Sequence, residues 1–326
     1  MIKNIKLIKV TSDNSGQRLD KFIASNSDKI SFIAIQKLLR TGRIRINKKK
    51  SLGSKRIKIG DEIAIPLDII NNEKTKFYTF KNLNKDFKEL VNNSILYRDN
   101  DVIAINKPAD IAVQGGSRVV NHIDGVLDYF RFDAPYRPQL LHRLDKSTSG
   151  ILLLSRRPKV TRRLSEAFRN REIKKLYLAI LYGHLPKTKG SINAPLDNTN
   201  IKNYEKTTFD LNGKESKTLY NVLWKGEHQS IKISLVEFEP ETGRKHQIRA
   251  HCNYIGCSII GDRKYLGKLT NKKNNIEGLG EKMFLHAREL GVPDKDGLTI
   301  RIKAPLPTHM INAFKLLKLP KSLLDI

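Results

Sequence analysis

Leu141-His142-Arg143-Leu144-Asp145-Lys146-Ser147-Thr148-Ser149-Gly150 runs directly into Ile151-Leu152-Leu153-Leu154. The four apolar residues have no polar partner among them, which reads as a strand buried on both faces. A loop of charged and hydroxyl side chains anchored to such a strand holds its groups with little freedom. Asp145 is the only carboxylate in that loop, and Arg143 and Lys146 beside it favour the ionised form a nucleophile needs. A loop aspartate more often serves as an ordinary turn or cap residue, so Asp145 gains weight only from the rest of the chain.

Working outward, Ile95 to Tyr97 and Val102 to Ile105 flank Asp99-Asn100-Asp101 and read as a hairpin that ends at Lys107-Pro108. Further strands are expected at Leu176 to Tyr182, Thr218 to Trp224, Ile231 to Phe238, Met283 to Leu290 and Leu298 to Ile302. Helices are expected at Pro158 to Arg171 and Gly243 to Ile255. Strands outnumber helices and follow one another too closely for regular βαβ crossovers. The expected fold class is therefore α+β, with a mixed, mainly antiparallel sheet.

Before this region the pattern is different. Leu19, Phe22 and Ile23, then Ile35, Leu38 and Leu39 after a Ser31 cap, fall at helical spacing and predict two short amphipathic helices. Arg43 to Asn47 alternates isoleucine with polar residues, and Ile57, Ile59, Ile63 and Ile65 alternate around a Gly60-Asp61 turn, which predicts small strands. From Lys37 to Gly60 there are ten basic residues and no acidic one. Such one-signed density is costly unless something negative covers it. Residues 66–93 lack periodicity and are rich in asparagine and lysine. The expected division is a small α/β module over 1–75, a linker over 76–93 and a larger domain over 94–326.

With 61 basic against 33 acidic side chains, the chain carries a formal charge of +28. Phosphates are the polyanion that best matches a charge of this size on an otherwise globular composition. Cys252 and Cys257 match neither a Cys-x-x-Cys pair nor a zinc site, and His246 and His251 lie on different faces of a helix, so no metal is expected. There is no Gly-x-Gly-x-x-Gly after a strand and no Gly-x4-Gly-Lys-Ser/Thr, so a nucleotide cofactor has no support. Nothing reads as a signal peptide or a membrane span, and a cytoplasmic monomer is expected.

His142-Arg143-Leu144-Asp145 followed by Thr148-Ser149-Gly150 resembles the signature loop of the RluA/RluC-type pseudouridine synthases. Asn106-Lys107-Pro108, Lys175-Leu176-Tyr177-Leu178-Ala179 with Gly183, and Gly243-Arg244-Lys245-His246-Gln247-Ile248-Arg249 resemble that family's further motifs in the same order, as do Leu285-His286-Ala287 and Ala304-Pro305-Leu306-Pro307. After Lys107-Pro108, Asp110 and Gln114 depart from the family's usual glycine and histidine, while Gly115-Gly116-Ser117 resembles the branch acting on 23S rRNA. The N-terminal pattern, including Arg18-Leu19-Asp20-Lys21 and Gly42-Arg43-Ile44-Arg45, resembles the S4 RNA-binding domain.

The resemblance implies isomerisation of uridine in ribosomal RNA without cofactor or metal: the bond from ribose C1′ to N1 breaks, the held uracil turns, and C1′ bonds to C5. It implies Asp145 as nucleophile or base, Arg249 as its ion-pair partner, Tyr177 against the uracil as stacking and proton-handling group, and Leu285 on the other side of the base pocket. It implies Arg143 as a wedge filling the gap left by a flipped base. RNA contacts are expected from Arg18, Lys37, Arg40, Arg43, Arg45, Lys48 and Lys49. Two other readings share parts of this pattern: a non-catalytic RNA-binding protein, in which Asp145 would be dispensable, and a glycosylase, which would release free base.

Overall fold

The computed structural model describes residues 5–26, 32–67, 93–115, 121–201, 204–266 and 276–324. The expected Ser31 cap, nearly all of the expected linker, and Gly116-Ser117 lie outside the described residues. Strand β1 is Ile5–Lys9, helix α1 is Leu19–Asn26, helix α2 is Phe32–Thr41, strand β2 is Arg45–Ile46 and strand β3 is Glu62–Pro66. The three strands form one antiparallel sheet in the order β1-β3-β2. Leu19, Phe22 and Ile23 of α1 meet Ile35 and Leu39 of α2 and the isoleucines at 44, 46, 57, 63 and 65 in a core of their own. The helical spacing and most of the strand alternation thus describe real faces.

Of the small strands expected around the Gly60-Asp61 turn, the one after it is β3, and the one before it does not form. Next to Ile57, Arg56 makes only an isolated bridge with Arg18, and Ile59 is 67% exposed. The Asp61 carboxylate accepts the Lys58 N–H at 2.8 Å and the Asn47 amide at 2.7 Å, so the turn is tied to β2 and β3 pairs elsewhere. Its long partner is β1, whose Lys/apolar alternation suggested no strand because Ile5 and Leu7 are exposed.

The second region is built on a ten-stranded sheet. Its strands are β4 (Ile95–Arg98), β5 (Val102–Lys107), β6 (Gln139–Leu140), β7 (Ser149–Ser155), β8 (Lys174–Tyr182), β9 (Lys189–Asn193), β12 (Lys217–His228), β13 (Ile231–Pro240), β14 (Leu285–Pro293) and β15 (Thr299–Lys303). A separate hairpin pairs β10 (Leu196–Ile201) with β11 (Tyr204–Phe209). The main order is β4-β5-β7-β14-β8-β13-β12-β9, with β6 added to β7 and β15 to β14. Every described pairing in it is antiparallel except β7 with β14, so the sheet is mixed and mainly antiparallel.

Strand β7 is buried on both faces, as its apolar run requires. Leu152 and Leu154 pack with Ile123, Val126, Leu127 and Phe130 of a 3-10 helix, Ile123–Arg131. Ile151 and Leu153 pack on the opposite face with Val160, Leu164 and Ala167 of helix α3, Pro158–Arg169. The largest core cluster joins β8 and β13 to helix α4 (Gln247–Tyr254) and helix α5 (Thr308–Leu316). Helix α4 starts four residues later than expected from the sequence. His246 adopts a left-handed conformation, φ 52°, which a continuing helix cannot contain, and the Gln247 side chain accepts from the Arg244 N–H at 3.0 Å to hold the bend.

Candidate active site

Strand β7 and its single parallel neighbour fix the loop that precedes it. His286 and Ala287 of β14 pair with Ser149 and Gly150, at the point where the loop becomes strand. Gly150 has φ +108°, and a Cβ there would collide with the Ala287 backbone. Only glycine fits that approach. Upstream, the Leu153 N–H donates to His142 Nε2 at 2.9 Å, and the His142 ring stacks on Phe168 of α3 with centroids 5.1 Å apart. Burial pushes the His142 pKa down to about 3, which suits a ring nitrogen that accepts.

A third tie comes from Lys107 at the end of β5. Its side chain is fully buried, and Nζ donates to the carbonyls of Pro108 at 2.7 Å, Ile111 at 2.9 Å and Lys146 at 3.1 Å. Burial lowers its pKa to about 7, against the opposing pull of Asp110 and Asp145. Three carbonyls match the three donors of an ammonium group, so the loop is sewn to β5 beside Asp145.

The structure brings Asp145 and Arg249 together across 104 residues of sequence: Arg249 Nη1 donates to Asp145 Oδ2 at 3.0 Å. Helix α4 supplies the arginine, whose side chain is 8% exposed, while Asp145 is 24% exposed. The rest of the guanidinium is taken by Asp262, a residue that no sequence signal marked. Its carboxylate accepts from Nε at 2.7 Å and Nη2 at 2.8 Å, and Oδ1 also accepts from the N–H groups of Lys264 at 3.0 Å and Tyr265 at 3.2 Å. Burial alone would lower the Arg249 pKa, but the bonds and charge of Asp262, then Asp145, outweigh it and raise it. The guanidinium is a fixed cation with one edge left for Asp145.

Tyr177 and Leu285 lie on one face of the sheet. In the β8–β14 register Leu285 opposes Ala179 and Ala287 opposes Tyr177, and cross-strand partners point to the same side. Both line a cleft of about 1220 Å³ together with Asp145, Arg143, His246 and Arg249. Burial, then the charge of Asp145, raises the Tyr177 pKa, so the phenol keeps its proton at neutral pH. Arg143, Lys146, Arg169, Arg171, Arg244 and Lys245 are exposed cations on the rim of the same cleft.

The other expected RNA-binding residues are elsewhere. Lys37, Arg40, Arg43, Arg45, Lys48 and Lys49 are exposed on the N-terminal module and line no part of the cleft. Arg18 is exposed on the same module and donates to Asp20 at 2.6 and 3.1 Å, and the buried Asp20 also accepts from Gln36 at 3.0 Å. Asp20 ties α1 to α2 through Gln36, and Arg18 meets the same carboxylate. No group of acidic, histidine or cysteine side chains suited to a metal ion occurs among the described residues.

Comparison with known proteins places this site in a family. The family described as RNA pseudouridylate synthase matches residues 101–254, the stretch that carries Asp145, Tyr177 and Arg249. Ribosomal large subunit pseudouridine synthase C of Buchnera aphidicola subsp. Schizaphis graminum is 32% identical over 317 residues, 95% of this chain and 96% of the relative. Its counterpart from Buchnera aphidicola subsp. Acyrthosiphon pisum is 36% identical over 316 residues, 94% of this chain and 96% of the relative. Among solved structures, human RNA pseudouridylate synthase domain containing 4 is 26% identical and superposes with a TM-score of 0.57 over 71% of this chain and 95% of its own.

Proposed function

We infer, because the chain belongs to the RNA pseudouridylate synthase family, that it isomerises uridines of large-subunit ribosomal RNA to pseudouridine, with Asp145 as the reacting carboxylate. The observation that carries the residue assignment is the 3.0 Å contact between Asp145 and a buried, doubly anchored Arg249 inside a cleft of about 1220 Å³. Whether the carboxylate attacks C1′ or removes a ribose proton, it must be ionised and must hold one oxygen still. Arg249 supplies both conditions through Oδ2.

The rest of the cleft suits a flipped uridine. Tyr177 and Leu285 offer an aromatic and an aliphatic surface on the same sheet face, enough to sandwich a base that has left its stack. Because Tyr177 stays protonated, it serves as a phenol that donates or relays a proton, and not as a phenolate base. Arg143 acts as the wedge that fills the space the base vacates, a role supported by its exposure at the rim two residues before Asp145. The N-terminal module over 1–75 acts as an S4-like docking unit for structured RNA. Its helix pair, small sheet and exposed basic segment support that reading.

The reaction replaces the hydrogen on C5 of uracil by the bond to C1′, so RNA labelled with tritium at C5 reports turnover by release of tritium. Asp145→Asn should abolish release while RNA binding persists, since most contacts to phosphate are untouched. Carbodiimide labelling should find pseudouridine in RNA treated with the wild-type protein and no loss of polymer mass. Release of free uracil would indicate a glycosylase, and full activity of the asparagine variant would move the reacting group elsewhere.

A further inference from the structure

Arg249 accounts for one oxygen of Asp145. The other faces a group that the reaction as described leaves unused. His246 Nε2 lies 3.7 Å from Asp145 Oδ1, on the residue just before helix α4. Its backbone has φ 52°, the left-handed region, which few residues other than glycine enter, histidine more often than most. Such a conformation persists only where the surroundings over-determine it. Here they do so through the other ring nitrogen.

His246 Nδ1 is 3.0 Å from the hydroxyl of Tyr265, and the two rings meet edge to face with centroids 5.7 Å apart. Tyr265 is itself buried, 1% exposed, and its oxygen already accepts the Thr207 N–H at 3.0 Å. The tyrosine proton remains to be donated, and Nδ1 of His246 lies within reach of it beside the Thr207 side chain, whose own hydroxyl proton goes to Asn198 Oδ1. A ring that accepts at Nδ1 carries its proton on Nε2, and Nε2 is the nitrogen aimed at Asp145. Burial lowers the His246 pKa to about 4, against the pull of Asp145, so the ring is a neutral donor and adds no charge beside the carboxylate.

Tyr265 is in turn set by Asp262, whose Oδ1 accepts its backbone N–H while the same carboxylate grips Arg249. One buried carboxylate therefore indexes both supports of Asp145: the arginine directly, and the histidine through the tyrosine.

We propose that His246, with its tautomer fixed by the Tyr265 hydroxyl, is a second positioning residue that orients Oδ1 of Asp145 for attack on the nucleoside. The 3.7 Å separation is longer than a hydrogen bond, and closes with a sub-ångström shift of the kind that accompanies substrate binding. Two fixed donors then restrain rotation of the carboxylate about its own axis, which a single guanidinium contact permits. The inference rests on Asp145 being the reacting group.

The test uses the full-length protein and tritium release from large-subunit rRNA labelled at C5. His246→Asn keeps a residue that tolerates the left-handed backbone but withdraws the donor, because its short amide reaches no further than Nδ1 did. His246→Gln carries an amide nitrogen out to where Nε2 lies. Tyr265→Phe keeps the ring and frees the tautomer. The asparagine variant should lose roughly ten- to a hundred-fold in kcat, the rate equivalent of one hydrogen bond to a charged group, with KM within twofold. The glutamine variant should recover most of that loss. Tyr265→Phe should lower kcat, and its effect should not multiply with that of His246→Asn, because both remove the same bond.

A folded His246→Asn protein with kcat within twofold of wild type would overturn the proposal, as would multiplying effects in the double variant. If the asparagine variant fails to fold, the kcat of Tyr265→Phe decides on the same threshold. Absence of tritium release by the wild-type protein would instead refute the assignment of the reaction, a different result from wild-type turnover with indifferent variants.

Discussion

Two carboxylates share one guanidinium, and they should differ sharply in what they contribute to stability. Asp262 is completely buried and accepts four hydrogen bonds, from Nε and Nη2 of Arg249 and from the N–H groups of Lys264 and Tyr265. Asparagine there would replace one oxygen by an NH2 group facing donors, and would remove half of the charge compensation of a buried arginine. Breaking a buried pair from one side costs ~3–5 kcal/mol, and because Arg249 keeps Asp145 the lower end, ~3 kcal/mol, is expected for Asp262→Asn. Asp145 is 24% exposed and makes one bond to a cation that would stay bidentate on Asp262, so Asp145→Asn should cost only ~0–1 kcal/mol.

Urea unfolding of the two variants beside wild type gives both differences directly, provided the slope with denaturant is unchanged. The asparagine at 145 should silence tritium release in a protein as stable as wild type. The asparagine at 262 should lower stability and turnover together, because an arginine released from Nε and Nη2 can turn away from Asp145. Equal costs for the two substitutions, or a cost under ~1 kcal/mol at 262, would refute the assignment of Asp262 as the anchor.

Gly150→Ala forces a methyl group into the Ala287 backbone at φ +108°, and should cost at least ~3 kcal/mol and disorder the loop holding Asp145; a circular dichroism melt matching wild type would contradict this. Stability should also fall with acid. The folded pKa values of His142, His246 and His286 are lowered to about 3, about 4 and about 4 from 6.5, so on acidification the unfolded chain binds protons first. Their full contribution is present above pH 6.5 and is lost by up to ~1.4 kcal/mol per pH unit per group down to each folded value, which urea melts between about pH 7.5 and pH 5 would detect as a steep slope or exclude as a flat one. Neutralising Arg43, Arg45, Lys48 and Lys49 should flatten the salt dependence of RNA binding by ~0.7–0.9 in log–log slope for each phosphate no longer engaged, and an unchanged slope would remove the basic segment from the docking surface.

Which parts of this molecule could be read beforehand follows from which interactions are local. The apolar run Ile151 to Leu154 specified a strand buried on both faces by itself, and β7 is that strand. Leu19, Phe22 and Ile23 likewise specified the buried face of α1. Strand β1 escaped notice because it lies at a sheet edge with exposed side chains, and Ile59 misled because alternation does not reveal where pairing partners are. The Asp145–Arg249 pair came from motif resemblance, since 104 residues separate its members and no spacing rule spans that distance. Asp262 carries no local pattern at all. Its role exists only where the turn after α4 returns beside the helix, so it had to wait for the fold. Gln247 is intermediate: an interior helix residue by periodicity, it works instead as the clasp at the start of α4, bonded to Thr242, Thr218 and the Arg244 N–H.

The charges within and around the cleft divide the work of binding from that of reaction. At its centre Arg249 is balanced by Asp145 and Asp262, Tyr177 keeps its proton, and His246 is neutral, so a uracil and its ribose enter a region of small net charge. Around it stand exposed cations at 143, 146, 169, 171, 244 and 245. Phosphates gain from those cations equally before and during the reaction, and such uniform binding lowers KM without raising kcat. The centre must discriminate between ground and transition states by geometry, and Arg249 is accordingly buried and held by Asp262 through two bonds while it holds Asp145 through a third. Raising salt should therefore act through the rim and raise KM, leaving kcat nearly constant. A kcat that fell in step with salt would mean that the rim cations also stabilise charge developing at the reacting nucleoside, and that the Asp145–Arg249 centre is not electrostatically self-contained.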